Sequence, residues 1–207
     1  NLEKYLIRGG LPQAYDSELW NKELGAYISL YLREEVAQEA LTRNIDAFAE
    51  FLDLVAKSNG QEINYQNFAS DCGVSINTIK NYFQILEDTL IAFPVRAFTK
   101  TTKRKAITRS KYYMFDTGVV NALNGSHNIS PESALFGQAF EHFLILEIRA
   151  AITYLELNYK LSYWRSTTQF EVDLILEKKW AIEFKSTNNI QDKHLKGLRA
   201  MKEEGLI

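Results

Sequence analysis

The chain has 207 residues, 46% of them apolar and 24% charged, with a formal net charge of −2. That balance belongs to a folded globular chain, as one large domain or two small ones, and predicts no generic affinity for nucleic acid. No apolar run approaches the roughly 20 residues of a membrane-spanning helix. The single cysteine, Cys72, excludes an internal disulfide and a cysteine-based zinc site and fits a reducing cytoplasm.

Residues 1–16 carry a short apolar stretch and the turn sequence Gly9-Gly10-Leu11-Pro12. The ends suggest a piece of a longer protein: Asn1 opens without a start methionine or signal peptide, and Ile207 follows a helix-like stretch directly. From Glu18 to Ala40, Leu19, Leu24, Ile28, Tyr31 and Leu32 recur at amphipathic-helix spacing. A second helix is predicted from Ile45 to about Ser58, stopped by Asn59-Gly60. Next come a short helix (Tyr65–Asp71), a turn (Cys72-Gly73-Val74), a helix (Ile76–Glu87) capped by Ser75, and an apolar strand (Leu90–Phe98). This order is the pattern of a winged helix-turn-helix. Asn77, Thr78, Lys80, Asn81 and Gln84 would stand on its recognition helix, with Lys80 the one cation.

Six basic residues then fall within twelve positions: Lys100, Lys103, Arg104, Lys105, Arg109 and Lys111. Such a cluster beyond a candidate wing suits phosphate contacts. Tyr112–Phe115 reads as a strand, Asp116-Thr117-Gly118 as a turn closing it, and Phe136 to about Ala151 as a periodic helix. Three strand candidates follow, Lys160–Ser166, Glu171–Glu177 and Trp180–Lys185, before a last helix over Asp192–Glu203.

Period-two geometry puts Glu183 and Lys185 on one face of their strand, and a paired neighbouring strand adds Asp173. Two carboxylates and an ammonium on an apolar sheet need a partner. Mg²⁺ or Mn²⁺ suits hard oxygen ligands and also takes phosphate oxygens. The chemistry expected is phosphodiester hydrolysis, with Asp173 and Glu183 holding the metal and Lys185 orienting water or neutralising the transition state. Glu141, on the preceding helix, adds a carboxylate to the catalytic and metal-binding set. Arg165 and Gln191 are placed for phosphate contact, beside Lys80, Lys100, Lys103, Arg104 and Lys105.

Glu141, Glu171-Val172-Asp173 and Glu183-Phe184-Lys185, in that order, resemble the PD-(D/E)xK nuclease superfamily, with Val172 in place of its Pro. More broadly, the chain looks like the C-terminal region of a large prokaryotic family of predicted AAA-type ATPases, catalogued as a domain of unknown function. The matching pieces are Arg8-Gly9-Gly10-Leu11-Pro12, the Asn59-Gly60 helix stop, the helix-turn-helix, Tyr113-Met114-Phe115-Asp116-Thr117-Gly118, Gly137-x-x-Phe140-Glu141, Tyr163-Trp164-Arg165 and the carboxylate motifs. The resemblance implies an ATPase module in the same polypeptide, and the lone Cys72 points to the cytoplasm. No phosphate-binding Gly-x-x-x-x-Gly-Lys-Ser/Thr occurs here, so no ATP site is expected in this stretch. The expected architecture is mixed α/β: an N-terminal helical segment (1–43), a winged-helix-like domain with its basic stretch (44–111), and a restriction-endonuclease-like domain (112–207). The expected function is a Mg²⁺-dependent DNA nuclease. The alternative is a catalytically inactive DNA-binding or protein-interaction module accompanying the ATPase.

Overall fold

The computed structural model describes residues 1–35 and 44–205. These form two compact units, one of Asn1–Pro94 with Tyr112–Ala139, the other of Val95–Lys111 with the chain from Phe140 onward. The secondary structure is mixed α/β, with helices dominating the N-terminal half and one five-stranded sheet. No helix among the described residues is long and apolar enough to cross a membrane.

The first unit begins with α1 (Leu2–Arg8), α2 (Pro12–Asp16) and α3 (Trp20–Ala26), the last continuing as a π-helix over Tyr27–Glu35. Two of these replace what the sequence presented as a turn region, because Gly9-Gly10 and Pro12 punctuate helices too short for periodicity to register. The remainder of the expected Glu18–Ala40 helix, 36–40, lies outside the described residues. Helix α4 (Ile45–Lys57) begins on Asn44, whose Oδ1 accepts the Ala47 N–H at 3.0 Å. Helices α5 (Tyr65–Asp71) and α6 (Ile76–Asp88) flank the Cys72-Gly73-Val74 turn. Ser75 caps α6 as expected, its Oγ accepting from Thr78 N–H at 3.1 Å. Phe48, Phe51, Leu52, Ile79, Phe83 and Leu86 bury this unit's core. Phe51 meets Phe83 edge-on at 4.9 Å, a geometry that adds about 0.5–1.5 kcal/mol to area burial. Cys72 is buried in the same core, and burial pushes its thiol up to about 11, so it stays protonated.

Strand β1 (Ala92–Ala97) and strand β2 (Lys111–Met114) precede α7 (Thr117–Leu123). Asp116 therefore opens a helix, where the sequence reading has only a turn: its Oδ1 accepts the Val119 N–H at 2.9 Å. Its Oδ2 accepts the Gly10 N–H at 2.6 Å. Gly9 has φ 77°, and a Cβ there would run into the Asp116 carboxylate. The Arg8-Gly9-Gly10 and Asp116-Thr117-Gly118 motifs are thus two halves of one contact, reinforced by the Asn121 amide donating to Leu6 O at 2.8 Å.

Helix α8 (Ala134–Tyr154) leads to β3 (Leu161–Arg165), β4 (Glu171–Leu176) and β5 (Trp180–Ile182). The sheet order is β2-β1-β3-β4-β5, with β1 parallel to β3 and the pairs β3–β4 and β4–β5 antiparallel. Glu177 and Lys178 take φ of 45° and 57° between β4 and β5, the positive values that tight hairpin turns demand. A 3₁₀ turn (Asp192–Leu195) and α9 (Lys196–Glu203) replace the single helix expected there. Phe98, Trp164, Val172, Ile175 and Met201 form the core of the second unit.

Candidate functional site

Strands β4 and β5 pair through Leu174↔Ile182 and Ile175↔Ala181, so the next step of the register sets Asp173 opposite Glu183. Strand β5 ends at Ile182 rather than reaching Lys185. The reason is local: the Phe184 N–H donates to Asp173 Oδ2 at 2.8 Å instead of to a ladder carbonyl, a side chain replacing a backbone acceptor. Lys185 Nζ then lies 2.6 Å from Glu183 Oε1 and 3.5 Å from Asp173 Oδ2, and donates to Phe184 O at 2.9 Å. The sequence-predicted trio is assembled in one place.

Burial acts first on Glu183 and the nearby Asp173 charge adds to it, so that its carboxyl is raised to about 7 despite Lys185. Glu183 Oε2 is buried with no hydrogen-bond partner among the described residues. An orphaned buried carboxylate oxygen costs about 1–3 kcal/mol, more when charged. Burial alone would lower the Lys185 ammonium, but its two carboxylate neighbours hold it above the ordinary lysine value.

A second cation, absent from the expected site, stands among the carboxylates. Lys111 opens β2 with 5% of its surface exposed, its Nζ 2.7 Å from Glu171 Oε1 and 5.0 Å from the centre of the Tyr163 ring. Burial would lower its pKa, but the charges of Glu141, Glu171 and Asp173 outweigh it and raise the value. Glu141, half-buried on α8, thus belongs to the same charge cluster, while its neighbour His142 is buried. Arg165 faces Glu171 across the β3–β4 pair, Nε to Oε2 3.8 Å, and donates to Gln169 Oε1 at 3.3 Å. The signal for Lys111 was a lysine directly ahead of the apolar run Tyr112-Tyr113-Met114. It reads as the last member of a basic stretch unless the strand is started one residue earlier.

The remaining basic residues divide by structure. Arg104 is spent within the second unit: it pairs with Glu203 and, at 3.2 Å, with Glu204, and lies 5.1 Å from the centre of the Phe170 ring. Glu204 Oε2 also accepts the Thr102 and Lys103 N–H groups at 2.7 and 2.8 Å, pinning this loop. Lys80, Lys100, Lys103 and Lys105 are exposed. Gln191 is exposed at the start of the 3₁₀ turn, its N–H donating to His194 Nδ1 at 3.2 Å. A cavity of about 270 Å³ opens beside Glu183 and Lys185, with Lys193, His194 and Lys196 on its wall. Among the described residues, no three His, Cys, Asp or Glu side chains converge on one metal position.

Comparison with known proteins adds two family matches. A model described as Domain of unknown function (DUF8612) covers residues 1–130, and one described as Domain of unknown function (DUF4143) covers residues 136–206. No curated protein and no solved structure matches the chain. With well over half of its length matched by the first model, the chain belongs to the DUF8612 family and carries a DUF4143 match behind it.

Proposed function

We propose that the second unit is a restriction-endonuclease-like domain that hydrolyses DNA phosphodiesters with Mg²⁺ or Mn²⁺. In this reading the α5–turn–α6–β1 segment is a winged helix-turn-helix that helps to hold the duplex. The observation that carries the proposal is the cluster of Asp173, Glu183 and Lys185 with a buried Glu183 oxygen that has no hydrogen-bond partner among the described residues. That orphan oxygen and the all-oxygen donor pair fit a hard divalent cation. Mg²⁺ commonly takes one or two carboxylates and fills its other positions with water and phosphate oxygens. Asp173 and Glu183 would hold it, with Glu141 in support, and it would supply an activated water and charge neutralisation at the phosphoryl group. Lys185, already fixed between the carboxylates, positions a proton donor beside them. The DUF4143 domain is commonly found in AAA-ATPase-associated proteins, which supports an ATPase module as its working partner.

A second reading, a binding module without catalysis, is favoured by one observation. Lys185 and Lys111 already neutralise the carboxylates from within the chain. Incubating the chain with circular and branched DNA in Mn²⁺ or Mg²⁺, beside Lys185→Ala and an EDTA control, separates the two. Cutting that needs metal and disappears in Lys185→Ala supports the nuclease. Intact DNA, bound in a salt-sensitive way, moves the assignment to the binding module.

A further inference from the structure

The cavity beside the carboxylates is lined by two chemically different groups of residues. Strand β4 and the segment after β5 contribute Glu171, Glu183 and Lys185; the 3₁₀ turn and the first residue of α9 contribute Lys193, His194 and Lys196. At about 270 Å³ it holds several waters, or one phosphate group with its ester neighbours. The second group is not consumed internally: neither Lys193 nor Lys196 pairs with a carboxylate among the described residues. His194 Nδ1 accepts the Gln191 N–H, which leaves the neutral ring's proton on Nε2 as a donor.

This group is also held in position. Gly197 sits where α9 presses on β4, and a Cβ there would run into the Glu171 carbonyl oxygen. Ala200 and Met201 anchor the same helix in the core. The segment bearing Lys193 and Lys196 is therefore fastened to the strand that bears Asp173, so the distance between these lysines and the carboxylate pair is built into the fold.

We infer that this cavity is a phosphate-binding subsite, with Lys193, Lys196 and His194 gripping one phosphate of a nucleic-acid strand next to the carboxylate cluster. The inference rests on the nuclease reading and names where its substrate is held. The grip takes a phosphodiester within a strand or a phosphate at its 5′ end, since both present the same non-bridging oxygens. Neither Lys193 nor Lys196 belongs to the metal-holding set, so binding of Mn²⁺ is independent of them.

The test is fluorescence anisotropy of the full chain with a labelled single-stranded oligonucleotide, 5′-phosphorylated or 5′-hydroxyl, in Ca²⁺ over a salt series. Lys193→Ala/Lys196→Ala should bind about tenfold more weakly at moderate salt. Its plot of log affinity against log salt should be shallower by about 1.4, two contacts at roughly 0.7 each on a single strand. Lys202→Ala, an exposed lysine on the same helix, should behave as the unaltered chain, and Mn²⁺ titration should give the same affinity in all three. A wild-type preference for the 5′-phosphorylated strand that the double variant loses assigns the subsite to strand ends. Equal losses for both strands assign it to internal phosphates. If the double variant keeps wild-type affinity and salt slope, the subsite is wrong while the nuclease reading stands. If the unaltered chain binds neither strand, the subsite falls, and the nuclease reading is decided by the cutting of circular and branched DNA.

Discussion

Replacing Glu183 by Gln should stabilise the metal-free protein at pH 8. In the fold this carboxyl sits at about 7, against 4.5 when free. The folded chain therefore binds more protons than the unfolded chain between those values, and stability must fall as pH rises from about 4.5 to about 7. A displacement of this size corresponds to roughly 3 kcal/mol at about 1.4 kcal/mol per tenfold change. Glu183 borders an open cavity where solvent screens it, which reduces the figure to about 1–2 kcal/mol. Glu183→Gln mimics the protonated form, removes the ionisation cost and should flatten the pH dependence over that window. Urea denaturation at pH 5, 6, 7 and 8 with EDTA present reads the effect. The reasoning is refuted if the variant is less stable than the unaltered chain at pH 8, or if both show the same slope with pH. Added Mn²⁺ should stabilise the unaltered chain at pH 8 and leave Glu183→Gln nearly unmoved, because the ion needs the charged ligand.

Lys111→Met should cost about 2–3 kcal/mol in urea denaturation. It strands the partly exposed Glu171 beside two further carboxylates, and breaking one side of a buried pair costs about 3–5 kcal/mol; Lys111→Met/Glu171→Leu should recover most of that loss. Asp116→Ala should cost about 2–3 kcal/mol by removing the α7 cap and the acceptor for the Gly10 N–H at once. Asp116→Asn, which keeps an acceptor, should lose less than half as much; equal losses would refute the cap assignment. Gly197→Ala should destabilise by about 1–3 kcal/mol through the clash with the Glu171 carbonyl and loosen α9, read as faster amide exchange over 196–203.

Much of the second unit was legible because its chemistry is written in local patterns. Alternation of Val172 and Leu174 with Asp173 and Ile175, and of Ile182 and Phe184 with Glu183 and Lys185, identified two strands, and the pairing of those strands brings their carboxylates together. The end of β5 was not legible, since it depends on the Asp173 side chain capturing the Phe184 N–H, a contact eleven residues apart. Lys111 was misfiled with its basic neighbours for a related reason. Its partner Glu171 lies sixty residues along the chain, and charge clustering in sequence says nothing about burial. The short helices α1 and α7 escaped because they are held to each other by tertiary hydrogen bonds rather than by periodicity, as Asn121 to Leu6 and Thr117 to Tyr5 illustrate.

Two buried acids show how hydrogen-bond accounting separates structure from chemistry. Asp116 and Glu183 are both shifted upward by burial. Around Asp116 the shift is opposed by the N–H groups of Gly10, Val119, Gly118 and Leu11, so both of its oxygens are committed to closing the α1–α7 contact. Glu183 gives one oxygen to Lys185 and leaves the other buried without a donor among the described residues, in a side chain that lines a cavity shared with Lys193, His194 and Lys196. A satisfied buried carboxylate gains nothing by meeting a ligand. One with an unmatched oxygen gains whatever the ligand supplies, and the chain has accepted that cost at Glu183 alone of the two. The unmatched oxygen, rather than the motif that contains it, is the physical argument for chemistry in the second unit.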